Sequence, residues 1–248
     1  MDGAAGRAEN NYFRGSAYLS ATLSQHSFRI LYLPAMGMAC TRNIMVNIRP
    51  VIKTDTPALY EIALKTGDAG EDATALYKDP KLVGHIYAAP YAIFEPQSCF
   101  VAEDDEGVAG YIVGASNTSA FADRLEADWW PLLRPQYEDP SDIPFDEWTA
   151  DQLRAFLIHN PHQTPQRIVD TYPSHLHINL LPRMQGQKIG YQLMERFLAT
   201  MDMAGSRGVH LGVSATNERS IRFYENFGFR EAQHRKDRGE TIWYRIAL

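Results

Sequence analysis

Residues 175–190, HLHINLLPRMQGQKIG, decide the fold because they contain a strand, a turn and the start of a helix. We predict the strand over His175–Leu181 and the helix from about Gln187 to Ala204. The predicted helix has apolar residues along one face, as expected of a helix that packs on a sheet. These residues are Ile189, Leu193, Phe197, Leu198 and Met201.

Further elements follow this stretch. Val209–Val213 and Thr241–Ala247 predict strands, and Glu218–Phe227 predicts a helix between them. A strand, a helix and a second strand at this spacing form a crossover. We therefore expect the strands at 175–181 and 209–213 to be parallel.

The chain before residue 175 also has organised patterns. Val46 and Ile48 predict a short strand, and residues 54–57 (TDTP) predict a helix start, since Asp or Thr can cap a helix and proline fits its first turn. Two apolar runs at 99–102 and 108–113 flank an acidic turn, which predicts an antiparallel hairpin.

These elements predict one domain over residues 46–248, in which 116–172 is an ordered insertion because its aromatic residues imply burial. We expect residues 1–45 to be a poorly ordered N-terminal extension, or to reflect an over-long start-site assignment. The aromatic residues of the insertion either line a pocket or pack in the core. They are Trp129, Trp130, Tyr137 and Trp148.

Composition narrows the class of protein. The net charge of −6 over 248 residues argues against binding to nucleic acid or to an anionic membrane, because no basic field would attract phosphate groups. No apolar run is long enough to span a bilayer. The two cysteines, Cys40 and Cys99, fit a reducing compartment better than a disulfide scaffold, so we expect a cytoplasmic protein.

A glycine-containing segment, Gln185 to Gly190, joins the predicted strand to the predicted helix. Small residues at a helix N-terminus leave backbone N–H groups free, and these groups together with the helix dipole favour a phosphate. The segment is therefore a candidate pyrophosphate-binding loop. An ordinary strand-to-helix turn is the alternative.

A second motif, NERSIRFYENFGF, occupies residues 217–229. In order and spacing, the two motifs resemble the GNAT superfamily of acyl-CoA-dependent N-acetyltransferases. Gln185, Gly186 and Gly190 match its loop fingerprint, whereas Lys188 stands where the middle glycine is usual. The resemblance is strongest after Tyr172 and extends to bacterial acetyltransferases akin to the acetyltransferase-like C-terminal domain of O-GlcNAcase.

The resemblance implies an α/β (α+β) GNAT fold, with a mixed central sheet flanked by helices and two splayed parallel strands that form the acyl-CoA cleft. It implies that Leu180 and Leu181 offer backbone groups to the pantetheine arm. Tyr224 would be the general acid that protonates the CoA thiolate, and a core tyrosine is the alternative. The implied acetyl-CoA contacts are Leu180, Leu181, Gln185, Gly186, Gln187, Lys188, Ile189, Gly190, Asn217 and Tyr224.

Two histidines are candidates for removing the acceptor's proton. His175 and His177 alternate on one strand, so they share a face of the sheet with Asn179, which can orient a substrate. They resemble the His-Leu-His of arylalkylamine N-acetyltransferases, where the histidines assist proton removal. The alternative is that both histidines have only a structural role. A metal site with His159 and His162 is not expected, because no cysteine or carboxylate lies at zinc-like spacing.

The sequence thus predicts an enzyme that moves the acetyl group of acetyl-CoA to an amine-bearing acceptor, either a small molecule or a protein. No cysteine lies near the motifs, which favours direct transfer in a ternary complex. A GNAT-fold acyl-CoA sensor or protein-interaction module with weak or no catalysis is the alternative. The sequence is compatible with a monomer or a homodimer.

Overall fold

The structure is a computed structural model that describes residues 45–234 and 241–248. The predicted N-terminal extension therefore lies outside the described residues, apart from Met45. The strands are β1 (Asn47–Pro50), β2 (Phe100–Asp104), β3 (Gly107–Ala115), β4 (Ser174–Leu180), β5 (Gly208–Ser214), β6 (Arg230–His234) and β7 (Thr241–Ala247). They form one sheet in the order β1-β2-β3-β4-β5-β7-β6. β4 and β5 are parallel, and the other neighbouring pairs are antiparallel.

Helices cover both faces of this sheet. The α-helices are α1 (Thr56–Lys65), α2 (Leu82–Tyr87), α3 (Ala89–Phe94), α4 (Thr118–Asp128), α5 (Trp130–Leu133), α6 (Ala150–His159), α7 (Gln166–Thr171), α8 (Ile189–Met203) and α9 (Glu218–Phe227). Short 3-10 helices cover Lys53–Asp55, Pro96–Ser98, Arg134–Gln136, Pro140–Asp142, Phe145–Glu147 and Pro182–Met184. No helix in the described ranges is long and apolar enough to cross a membrane.

β4 separates the two helical layers. Its side chains alternate between the faces of the sheet, so that His177 and Asn179 point toward α1 and α3, where they contact Tyr91 and Thr66. Leu180 points the other way and approaches Gly190 of α8. The two layers therefore meet different faces of one strand.

Two glycines of β3 allow this packing. A methyl group on Gly114 would lie 2.2 Å from the backbone oxygen of His175 and 2.6 Å from the ring of Phe197 in α8. On Gly110 it would lie 2.2 Å from Leu180. Since non-bonded carbon atoms prefer separations near 3.5–4.0 Å, β4 and α8 come this close to β3 only because both positions lack a side chain.

The mixed sheet flanked by helices confirms the predicted fold class. Some predicted helices and strands differ from the observed ones in their bounds or capping. α8 begins at Ile189, two residues later than predicted, because the chain is still left-handed at Lys188. Asp or Thr was expected to cap α1; Asp55 is at the N-cap position, but its carboxylate accepts hydrogen bonds from Arg49 at 2.7 Å and from the Ile52 N–H at 2.9 Å instead of from the helix. β6 was not predicted, because its polar sequence REAQH suits an exposed edge strand and has no apolar alternation.

Candidate active site

The sheet opens between its two parallel strands. β4 and β5 pair only at Ser174 with Val209 and at His175 with His210. Beyond these pairs β4 continues along β3, and β5 continues along β7 to the end of both strands. The strands therefore diverge after His175 and leave a cleft whose inner edges are unpaired.

The backbone of β4 supplies hydrogen-bonding groups to this cleft. The Leu181 N–H donates to the Ala109 oxygen of β3 at 2.8 Å. Because backbone groups alternate in direction along a strand, the backbone N–H groups of His177 and Asn179 also face β3, whereas those of Ile178 and Leu180 face the cleft. The Leu181 oxygen also accepts from Met184 at 2.9 Å. The Leu181 N–H is therefore paired with β3, and the β4 N–H groups that face the cleft are those of Ile178 and Leu180.

The segment 185–190 forms the expected turn at the N-terminus of α8. Lys188 is its N-cap and has a left-handed backbone with φ of 62°, the conformation for which glycine is favoured. Gly186 is also left-handed, at φ of 75°, and nothing lies within 4 Å of where its side chain would be. The N–H groups that begin a helix lack partners within the helix, so this exposed turn can accept an anion.

The two glutamines of the turn hold the loop itself. The Gln185 side chain donates to the Leu180 oxygen at 2.7 Å, and the Gln187 side chain donates to the Arg183 oxygen at 2.6 Å. Their amide groups therefore stabilise the approach from β4 to α8.

Asn217 and Tyr224 lie on α9, on the β5 side of the cleft. The Asn217 side chain caps α9 by accepting from the Ser220 N–H at 3.0 Å, so its amide has a local structural role. The Tyr224 ring is buried against Phe223 and Phe229. Its hydroxyl has no hydrogen-bond partner among the described residues, and burial raises the pKa of this phenol, which keeps its proton at neutral pH.

A hydrogen-bonded cluster lies on the other face of β4. The Tyr91 hydroxyl bridges the Nε2 atoms of His175, at 2.9 Å, and His177, at 3.2 Å. The Nδ1 atom of His175 is 2.8 Å from the Thr118 hydroxyl, which itself donates to the Pro173 oxygen at 2.7 Å. Tyr91 and Thr118 had no signal in the sequence, because they join this cluster only through the packing of α3 and α4.

This network fixes the proton positions on both rings. Thr118 gives its single proton to Pro173, so it must accept from the Nδ1–H of His175. The Nε2 atom of His175 then accepts from the Tyr91 hydroxyl, and the Tyr91 oxygen accepts from the Nε2–H of His177. His177 therefore has an unprotonated Nδ1 atom, which takes no hydrogen bond from any described residue.

Burial keeps both histidines neutral. It lowers the pKa of His177 to about 4 and the pKa of His175 well below its usual range, and the charge of neighbouring His210 acts in the same direction. His210 on β5 stacks on His175 with ring centroids 5.7 Å apart and donates its Nδ1–H to the Tyr172 oxygen. His177 is the first residue of this face beyond the point where β4 and β5 part.

The other predicted site residues have structural contacts. The Asn179 amide donates to Thr66 at 2.6 Å and ties the end of α1 to β4. His159 contacts the Tyr137 oxygen at 2.7 Å, whereas His162 stacks on Trp243, so these histidines are not brought to His175. In the described part of the chain, no three His, Cys, Asp or Glu residues converge as a metal site.

The aromatic residues of the insertion pack mainly in the core. Trp129 and Trp130 are at most 9% exposed, and the Trp129 indole donates to the His85 oxygen at 2.9 Å. Trp148 stacks on neighbouring aromatic rings of the insertion. Tyr137 lines a cavity of about 270 Å³ together with Asp79 and Asp151. Core packing therefore describes Trp129 and Trp130, Trp148 packs outside the core, and Tyr137 lines a separate cavity between the insertion and residues 79–82.

Comparison with known proteins identifies the family. Residues 56–229 match the acetyltransferase (GNAT) family. Protein O-GlcNAcase of Rattus norvegicus and of Mus musculus is 23% identical over 182 residues, which are 73% of this chain and 20% of that protein. The chain thus spans about a fifth of the length of these curated relatives.

Solved structures share the fold. The crystal structure of SsHAT is 32% identical, with a TM-score of 0.73 over 82% of this chain and 98% of SsHAT. PH1933 from Pyrococcus horikoshii OT3 is 12% identical, with a TM-score of 0.52 over 82% of this chain and 99% of its own, and that likeness concerns the fold alone. The family match and the similarity to SsHAT lead to one conclusion: the chain belongs to the acetyltransferase (GNAT) family.

Proposed function

We propose that the protein is an N-acetyltransferase that transfers an acetyl group from acetyl-CoA to an amine, directly and within a ternary complex. When bound, acetyl-CoA supplies a thioester whose acetyl group is the acyl donor. The free N–H groups of Ile178 and Leu180 line its arm, and the turn at 186–190 holds its pyrophosphate. The diverging strands and the left-handed backbone at Lys188 support this assignment.

The observation that carries the proposal is the free Nδ1 lone pair of His177. An amine must lose a proton to become a nucleophile, and a neutral imidazole accepts a proton. His177 Nδ1 takes this proton as the new N–C bond forms. Because its Nε2–H donates to Tyr91, the charge that develops on the ring is shared with the Tyr91 and His175 network.

Tyr224 returns a proton on the other side of the cleft. As the C–S bond breaks, its hydroxyl protonates the leaving sulfur. The raised pKa of Tyr224 makes the phenol a weak acid, so the proton passes only as negative charge develops on the sulfur. The lack of a competing hydrogen-bond partner leaves the hydroxyl available for this step.

Two measurements test the proposal. Acetyl-CoA and CoA, but not ATP, should raise the melting temperature, since a ligand that binds the native state stabilises it. Release of the CoA thiol in the presence of primary amines should then require both substrates. We expect Tyr224→Phe to bind acetyl-CoA normally and to lose about 100-fold in kcat. If the protein binds acetyl-CoA but acetylates no amine, the proposed enzyme is rejected in favour of an acyl-CoA sensor.

A further inference from the structure

Arg154 of α6 lies between two tyrosine rings beside the histidine cluster. Its Nε–H donates to the Tyr77 hydroxyl at 2.9 Å, and an Nη1–H donates to the Tyr87 hydroxyl at 3.4 Å. Its guanidinium carbon lies 5.8 Å and 5.5 Å from the centres of the same rings. A guanidinium has five N–H groups, so three of them have no partner among the described residues.

The charge of Arg154 lacks a carboxylate partner. Arg49, Arg134 and Arg183 are partly buried like Arg154, and each has a carboxylate oxygen within 2.9 Å. In the described ranges no carboxylate lies within 4.0 Å of Arg154, and Asp68 acts on it only from farther away. Burying a charge without a counter-charge is costly. Burial acts to lower the pKa of Arg154, but its interactions with Tyr87 and Tyr77 outweigh burial and raise the pKa, so the group remains a cation.

Arg154 is also close to the proposed chemistry. The Tyr87 ring lies edge-on to His177, with centroids 5.3 Å apart. With the 5.5 Å from the guanidinium carbon to Tyr87, this contact keeps Arg154 within about 11 Å of the His177 ring. Tyr77, Tyr87, Arg154 and His177 are each partly exposed and none is fully buried.

We propose that Arg154 binds an anionic group, a carboxylate or a phosphate, on the acceptor whose amine reaches His177. The inference rests on the proposed function and names the acceptor class: small amines that also carry a negative charge. The planar fork of a guanidinium binds two oxygens of one such group at once. The hydroxyls of Tyr77 and Tyr87 accept hydrogen bonds that orient the fork, and both rings lie within cation–π distance of it. Because the whole chain has a charge of −6, a local cation is needed to attract an anionic substrate.

A structural role for Arg154 makes a different prediction. If the guanidinium only tied α6 to Tyr77 and Tyr87, its loss would lower stability and would affect all acceptors alike. If it binds the anion, its loss affects acceptors with an anionic group and spares those without one. Matched pairs of amines therefore separate the two roles.

The experiment measures kcat and KM with the full chain for 5-aminopentanoate against pentylamine, and for O-phosphoethanolamine against ethanolamine. We expect the wild-type protein to prefer the charged member of at least one pair by about tenfold or more in kcat/KM, as for a hydrogen bond to a charged group. Arg154→Gln should abolish this preference by raising KM, and Arg154→Lys should restore part of it. Arg167→Gln removes an exposed charge from the insertion and should behave as wild type.

The outcomes separate this inference from the proposed function. Equal use of the charged and uncharged amines by the wild-type protein would overturn the role of Arg154 and leave acetyl transfer standing. If no amine is acetylated, binding of 5-aminopentanoate in the presence of CoA, measured by calorimetry, decides. If 5-aminopentanoate binds and Arg154→Gln abolishes this binding, the anion-binding role of Arg154 stands and the proposed acetyl transfer is rejected. Absence of both turnover and binding would overturn both.

Discussion

The two sides of the cleft are built in different ways. The proposed donor side consists of a contiguous stretch, β4 and the turn at 186–190, and it presents mainly backbone N–H groups. The proposed acceptor side consists of side chains from separate elements, with Tyr91 on α3, Thr118 on α4, Arg154 on α6 and two histidines on β4. Backbone groups survive most substitutions, whereas a side chain does not. Single substitutions should therefore affect catalysis strongly on the acceptor side and weakly on the donor side.

The largest expected effect is on the acceptor side, at His177. His177→Gln keeps a side-chain N–H that can donate to Tyr91 but removes the Nδ1 lone pair, so kcat should fall by about 100-fold or more while acetyl-CoA affinity is retained. Steady-state kinetics and a thermal shift with acetyl-CoA measure the two quantities. His162→Gln, which removes an exposed histidine of the insertion, is the matched control. Full activity of His177→Gln would show that His177 is not the general base.

A second test uses Tyr91, which connects the two histidines. Tyr91→Phe leaves the His177 Nε2–H and the His175 Nε2 lone pair without their shared partner. We expect kcat to fall by about tenfold, in keeping with a lost buried hydrogen bond. The rate should also change its dependence on pH, since the His177 tautomer is no longer fixed. A uniform loss of stability with an unchanged pH profile would reduce Tyr91 to a packing residue.

The third test concerns stability on the acceptor side. Burial lowers the pKa values of His85, His175, His177 and His210. The unfolded chain therefore binds more protons below pH 6.5, and the free energy of unfolding falls as the pH drops from 6.5 toward 4. His177 alone can lower the free energy of unfolding by at most about 3 kcal/mol over this pH range, since its pKa in the native state falls to about 4.

Urea unfolding at pH 7, 6 and 5 checks this result. The carboxylates that pair with arginines, such as Asp55 and Asp104, have lowered pKa values and stay ionised in the native state in this range. Their contribution is lost mainly at lower pH. Burial raises the pKa of Glu95, which acts in the opposite direction to the four histidines, so a net fall in stability in this window is due to the histidines. A free energy that does not change between pH 7 and pH 5 would contradict the neutral histidine cluster.

The smallest expected effect is on the donor side, at Lys188. A left-handed residue other than glycine costs about 1–2 kcal/mol, whereas glycine costs about 0.5–1 kcal/mol more conformational entropy. Lys188→Gly should therefore stabilise the protein by about 0.5 kcal/mol. Its acetyl-CoA affinity should change little, because backbone groups carry the contact. A large loss of affinity would show that the lysine side chain itself binds the phosphates.

The sequence predicted the donor side better than the acceptor side, and the reason is physical. Residues 175–190 and 217–229 carry local signals, because the turn, helix cap and strand alternation depend on neighbours in the chain. Even there, the pairing of the Leu181 N–H with Ala109 of β3 was not visible in the local sequence. Tyr91 lies far from β4 in sequence and reaches it only through the packing of α3, and Arg154 comes near β4 only because α6 packs beside Tyr87. A tyrosine or arginine in such a segment has no local pattern that distinguishes it from surface residues.

The alternation of β4 has a consequence for how the chain can change over evolution. Odd-numbered residues of this strand carry the imidazoles, and even-numbered residues direct their N–H groups into the cleft. A single inserted or deleted residue between Pro173 and Leu181 would reverse the direction of every later residue in the strand, so that the imidazoles and the cleft-facing N–H groups would both be misplaced. Gly110 and Gly114 would then face the wrong neighbours. Functional descendants should therefore keep the length of β4, and changes of length before it should fall in exposed loops of the insertion that carry neither Thr118 nor Arg154.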